Sequence, residues 1–159
     1  MEKVSRKTKL LHWVSVIFIG LAYLFIELRV LFEKGTLQRE VFKNIHYGLG
    51  FFILVLSIVR LIEKRKSESN YTNQSIDINR RKLMNRTHQG FLFWFCVMAI
   101  LGLLQILPSW GLPELPYPQL IKSTHQRMGQ IGYFLIAMHT SLVFYHHFWL
   151  KDDVLKRYL

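Results

Sequence analysis

Two histidines in one apolar segment, His125 and His139, are the residues of this chain best suited to chemistry. They lie fourteen residues apart, which is nearly four turns of an α-helix, so both imidazoles project from almost the same face. At about 1.5 Å per residue, their separation along the helix axis is roughly 21 Å. A histidine inside a hydrophobic span is costly and therefore indicates a functional site. Two histidines at two depths suit two stacked haem groups.

Histidines on the neighbouring apolar runs could supply the second ligand of each haem. His46 begins the second run and His12 begins the first. In a helix bundle, a haem iron takes two neutral imidazoles from facing helices. Depth in the membrane then pairs His46 with His125 on one side, and His12 with His139 toward the other.

The second of these pairs has rivals. His146 shares the helix face of His139, and its depth suits His12 better, while His88 begins the third apolar run. From spacing alone, His88 and His146 therefore remain alternatives to His139. A histidine in a bundle can also serve only as a hydrogen-bonding partner across helices.

Two glycines stand one helical turn after histidines of the first pair. Gly50 follows His46 and Gly129 follows His125, each at the i+4 position. Such positions share a helix face. We expect the missing side chains to leave room for a porphyrin plane, although small residues also let membrane helices approach closely.

The apolar runs predict an all-α integral membrane four-helix bundle. The chain has 159 residues, of which 51% are hydrophobic, and forms one predicted domain over 1–159. A span needs about 20 apolar residues. The predicted spans are about 10–30, 42–62, 88–107 and 125–150. The net charge is +11, but the basic residues flank these runs instead of lining one groove, so we expect membrane lipid and no nucleic acid as partner.

The basic residues also predict the orientation. Fifteen of the 21 lysines and arginines fall at the two termini and between the second and third runs. The positive-inside rule therefore places both termini in the cytoplasm. The polar segment 63–86 is predicted to be a mobile linker. All four prolines lie within 108–118, which predicts an irregular loop whose last residues begin the fourth helix.

Other chemistry has little support in the sequence. Cys96 is the single cysteine and no CxxCH motif occurs, so a haem would be held without thioether bonds. There is no HExxH, glycine-rich phosphate loop or GxSxG motif. The histidines are split between two depths without carboxylates or thiolates nearby, which disfavours zinc. A bound redox cofactor fits better, because the protein need only hold and tune it.

Four blocks of sequence closely resemble the bacterial cytochrome b561 family. They are KLLHWV at 9–14, ELR at 27–29 with NIHYGLG at 44–50, KSTHQ at 122–126 with GQIGYFLIAMH at 129–139, and HHFWLKDDVLKRYL at 146–159. The resemblance implies a bacterial inner-membrane protein with two b-type haems. It carries over His12, His46, His125 and His139 as axial ligands, which favours His139 over His146.

The resemblance also implies electron transfer between a donor and the quinone pool. Some members of the family are similar to superoxide oxidases, which pass an electron from periplasmic superoxide to ubiquinone. The predicted outer loops of this chain carry a net charge of +2, which would attract a small anion. Lys122 and Arg127 flank His125 and are the expected steering residues, unless these are ordinary solvated charges.

Two other interpretations remain open at this stage. The chain could be a non-enzymatic electron-transfer subunit that relays electrons between a partner dehydrogenase, or another redox protein, and quinone. It could also be a haem-free membrane protein whose histidines only pack or hydrogen-bond.

Overall fold

The computed structural model describes residues 5–69 and 78–151, with side chains described for 5–65 and 86–151. The first helix, α1, spans Arg6–Leu28. The Ser5 hydroxyl caps it by accepting a hydrogen bond from the N–H of Thr8 at 3.1 Å. Such a cap satisfies one of the amides left without partners at a helix start. A 3-10 turn at Arg29–Leu31 follows α1.

Three more long helices complete the described chain. They are α2 at Leu37–Ser69, α3 at Ile78–Leu104 and α4 at Pro118–Phe144. A 3-10 turn at Leu107–Trp110 follows α3, and one turn of π-helix at Tyr145–Trp149 follows α4. Proline suits the first position of α4, where no N–H is needed for the helix. All regular structure within the described ranges is helical, which confirms the predicted all-α bundle.

Among the described residues, three helical segments are long and apolar enough to cross a membrane. They are Arg6–Leu31, Leu37–Arg65 and Arg86–Leu104. The helix α4 is long enough but less apolar, because Gln126, Arg127, Gln130 and both of its histidines interrupt its run. The helices α1 and α2 run antiparallel, because Lys7 near the start of α1 donates a hydrogen bond to Glu63 near the end of α2 at 2.5 Å.

The prediction of a mobile linker over 63–86 is wrong for most of that segment. The helix α2 continues to Ser69 and α3 begins at Ile78, while residues 70–77 lie outside the described part. The 33 residues of α2 measure about 50 Å, whereas a hydrocarbon core measures about 30 Å. The polar composition therefore reflects helix ends that project beyond the membrane.

A small apolar core joins the first three helices, and larger apolar side chains face outward. Ala22, Ile53 and Phe95 form the buried cluster. By contrast, Phe52 is 53% exposed and Phe134 is 68% exposed. A water-soluble protein rarely exposes so much apolar surface, but lipid acyl chains cover it at no cost.

Two tyrosines connect α1 to α4. The Tyr23 hydroxyl donates to the carbonyl oxygen of Gly129 at 3.0 Å, and the Tyr133 hydroxyl donates to the Glu27 carboxylate at 2.7 Å. The two rings lie 4.2 Å apart between centroids. The absence of a side chain at Gly132 makes this possible, because a Cβ there would lie 2.1 Å from the Tyr23 hydroxyl oxygen.

Candidate functional site

His46 on α2 and His125 on α4 face each other inside the bundle. Their ring centroids are 6.3 Å apart, and their planes make an angle of 74°. Both rings line one cavity of about 870 Å³, whose other lining residues come from all four helices and the loop before α4. We name it the His46–His125 cavity. Its volume falls within the range of about 300–1,000 Å³ that is usual for cofactor and ligand sites.

Backbone carbonyl groups fix the protonation of both rings. Nδ1 of His46 donates to the carbonyl oxygen of Ala22 at 2.8 Å, and Nδ1 of His125 donates to that of Met98 at 2.9 Å. A carbonyl oxygen only accepts, so each Nδ1 carries the proton and each Nε2 is left with a lone pair. Histidines that bind metals are oriented in this way by their second nitrogen.

The spacing of the two rings matches what a shared metal ion needs. Imidazole–metal bonds of about 2.0 Å, as at zinc, and a distance of about 1.1 Å from nitrogen to ring centre put opposed imidazole centroids about 6.2 Å apart. The observed separation is 6.3 Å. The separation of the two rings is therefore compatible with one metal ion held between them.

Glycines shape the space around the two rings. Gly129 lines the cavity, and a Cβ added there would meet no atom within 4 Å. Gly50 is equally open but is not among the residues that line the cavity. Sequence reasoning missed Gly102, where a Cβ would lie 3.0 Å from Cε1 of His125. Only the distance between α3 and α4 in the fold reveals that role.

Basic side chains dominate the wall of the cavity nearest to the ends of the helices. Arginines and lysines outnumber carboxylates among the lining residues: Arg29, Arg39, Lys43 and Lys122 against Glu27 and Glu114. Of the two predicted steering residues, Lys122 lines the cavity and Arg127 does not. Arg127 stands two residues after His125, which turns its side chain about 200° around the helix.

A second group of histidines lies nearer to the other end of the bundle. The His139 ring is 5.6 Å from that of His88 and 5.3 Å from that of Phe91, measured between centroids. His12 interacts electrostatically with His88, His139 and Arg60. We name these four charged or titratable residues the Arg60 cluster. His146, the other rival from sequence reasoning, lies in the π-helical turn after α4.

The protonation of His12 differs from that of the first pair. Arg60 Nη2 lies 3.2 Å from Nδ1 of His12. A guanidinium only donates, so Nδ1 of His12 accepts and the proton of the neutral ring is on Nε2. Arg60 was not predicted as a site residue, because an arginine at the end of an apolar run is typical of a charge at the membrane interface.

Comparison with known proteins agrees with this architecture. The family model described as prokaryotic cytochrome b561 matches residues 3–159. The chain is 30% identical over 174 aligned positions to cytochrome b561 homolog 1 of Escherichia coli (strain K12), an alignment that covers 99% of this chain and 97% of the relative. It is 23% identical over 163 positions to the probable superoxide oxidase CybB of Yersinia pestis, covering 92% of this chain and 90% of the relative. This chain is therefore a member of the prokaryotic cytochrome b561 family, a family of bacterial membrane electron-transfer proteins that bind haem b.

Proposed function

We propose that this protein is a di-haem b-type cytochrome of the bacterial inner membrane that oxidises periplasmic superoxide and reduces ubiquinone. The facing pair of His46 and His125 is the observation that carries the proposal. Both rings have Nδ1 tied to a carbonyl, line one cavity and have centroids 6.3 Å apart. A haem bound there would supply one-electron transfer, and the chain supplies its binding, orientation and electrostatics.

The residues around this pair fit a haem. Apolar side chains such as Ile19, Ile53 and Phe95 line the inner wall, as a porphyrin face requires. The open position at Gly129 gives the ring room one turn from His125. Basic side chains at the opposite wall suit the negatively charged edge of a haem. Gly50 does not line the cavity, so the proposal assigns it no role beside the ring.

For the second haem we propose His12 and His139 as the ligands. Their position in the Arg60 cluster supports this, since His12 and His139 interact electrostatically within it. His88, whose ring centroid lies 5.6 Å from that of His139, remains the alternative ligand. Binding of iron by Nε2 of His12 requires that ring to move its proton to Nδ1, so the hydrogen bond from Arg60 must be given up.

The overall reaction balances with two superoxide anions for each quinone. Each anion gives up one electron and leaves as O₂, and ubiquinone takes up two electrons and two protons to become ubiquinol. The name of the Yersinia pestis relative supports superoxide as the donor. Ubiquinone dissolves in lipid, so it can reach a helix bundle from the side. The distribution of basic residues supports a periplasmic position for the His46–His125 cavity.

In this proposal, Lys122 attracts the anionic donor to the cavity. Replacement by glutamate changes the charge by two units, which for an anion about 8 Å away in water slows encounter about fivefold. Arg127→Glu is the matched control, because it makes the same change in charge five residues along α4 and outside the cavity lining. The measurement is stopped-flow reduction of the oxidised protein by superoxide at low salt.

The outcomes separate the interpretations. A drop in rate for Lys122→Glu alone, abolished at about 1 M salt where the Debye length is only about 3 Å, supports steering by Lys122. Equal decreases in the rate of reduction for both variants would mean that the net charge at the outer end of the bundle attracts superoxide, as predicted from the sequence. If the wild-type haem is not reduced by superoxide, and a redox protein co-purifies, the protein is instead a relay subunit and the superoxide proposal fails.

A further inference from the structure

Arg29 lines the His46–His125 cavity with a side chain whose hydrogen bonding is incomplete. It stands in the 3-10 turn that follows α1 and is one of the residues lining the cavity. Its Nε atom is buried and has no hydrogen-bond partner among the residues whose side chains are described. Within those residues, no carboxylate forms an ion pair with Arg29. Glu40, which pairs with Lys43, interacts with Arg29 only at longer range.

Neighbouring basic residues are already engaged. Arg39 Nη1 donates to the carbonyl oxygens of Arg29 at 3.3 Å and of Phe32 at 2.5 Å, which ties the start of α2 to the 3-10 turn. Lys43 pairs with the carboxylate of Glu40 one turn before it. Arg39 therefore holds the backbone of Arg29 in place, while the buried Nε of Arg29 still has a hydrogen bond to donate.

A buried guanidinium N–H without an acceptor is energetically costly. A guanidinium is well matched to a planar carboxylate, which it can bind through two parallel hydrogen bonds. Both Arg29 and His46 line this cavity. We propose that Arg29 binds a propionate carboxylate of the cofactor in the His46–His125 cavity, and that Arg39 positions it. This inference rests on the proposed haem site.

The proposed contact has a consequence for the redox potential. Reduction adds a negative charge at the iron, and a nearby cation stabilises that form. Removal of the Arg29 charge would therefore lower the potential of the haem held by His46 and His125. The effect on the haem at the Arg60 cluster would be weaker, because that haem lies farther from Arg29.

The experiment is a potentiometric titration of purified full-length holoprotein, for the wild type, Arg29→Gln, Arg29→Lys and the control Arg127→Gln. Haem stoichiometry is measured on each sample. We expect one of the two components of the titration to shift in Arg29→Gln by about tenfold in its reduction equilibrium, which is about 59 mV lower for a one-electron couple. Arg29→Lys, which keeps the charge, should retain most of the wild-type potential, and Arg127→Gln should retain all of it.

Haem content and redox potentials together distinguish the role of Arg29 from the presence of the haem sites. Two haems with unchanged potentials in Arg29→Gln, or equal shifts in Arg29→Gln and Arg127→Gln, would overturn the role of Arg29 and leave the haem sites intact. Loss of one haem in Arg29→Gln with retention in Arg29→Lys would support an anchoring role. A wild-type protein without haem would instead refute the proposed function.

Discussion

Substitution of Gly132 by alanine is expected to disturb the junction between α1 and α4. A Cβ at this position would lie 2.1 Å from the Tyr23 hydroxyl oxygen. Carbon and oxygen cannot approach so closely, so the tyrosine must move away. That hydroxyl is held by its hydrogen bond to the carbonyl of Gly129, one turn after His125. The added methyl group therefore acts on the segment that positions His125.

The cost can be estimated from these contacts. Overpacking of a fitted interior typically costs about 1–3 kcal/mol. Loss of the hydrogen bond from Tyr23 costs about 0.5–1.5 kcal/mol. In a Tyr23→Phe background the hydroxyl is absent, and the nearest atom to the new Cβ is the ring Cζ at 3.3 Å, which needs a shift of only a few tenths of an ångström.

A double-mutant cycle follows from this geometry. We expect Gly132→Ala to lower the free energy of unfolding by about 2 kcal/mol in the wild type and by less than about 1 kcal/mol in Tyr23→Phe. The assay is reversible unfolding in mixed detergent micelles, followed by circular dichroism, with haem content as a second readout. Additive effects of the two substitutions would refute the close approach of Tyr23 to Gly132, and so the packing of α4 against α1.

Three further predictions concern the two histidine sites. Gly129→Leu should fill the His46–His125 cavity and reduce the haem content from two to one per chain in a folded protein. Gly50→Leu, which adds the same side chain outside the cavity lining, should retain both haems, and haem loss in both variants would contradict this distinction. Gly102→Val should displace the His125 ring, whose Cε1 would lie 3.0 Å from the new Cβ, and alter the spectrum of one haem; an unchanged spectrum would show that the ring has room. Arg60→Gln should lower the potential of the other haem by about 59 mV, because a cation is lost and Nδ1 of His12 gains an acceptor; an unchanged potential would place Arg60 away from that haem.

The sequence predicted the bundle well because its signals are local. An apolar run consists of adjacent residues and predicts a helix that spans the membrane. The basic residues that flank each run predict its orientation. The ends of the helices were less predictable. The charged residues around 63–69 and 78–86 continue α2 and α3, because helix propensity outside the membrane does not require an apolar composition.

The histidine pairing was predictable in part. The positions of His46 and His125 at the predicted outer ends of the second and fourth apolar runs placed them at one depth, and the structure brings their rings together. Contacts between helices were not predictable from spacing. The approach of Gly102 to His125, the hydrogen bond from Arg60 to His12 and the orientation of Arg127 away from the cavity depend on how helices are rotated against each other. The residue pattern within one helix does not determine how that helix is rotated relative to its neighbours.

The most direct test of the account is the haem content of the purified protein, measured from a reduced-minus-oxidised spectrum and a pyridine haemochrome assay, for the wild type, His125→Ala and His139→Ala. We expect two b-type haems per chain in the wild type and one in each variant, with a different spectral component lost in each. A wild-type protein without haem, or two haems retained in His125→Ala, would contradict it.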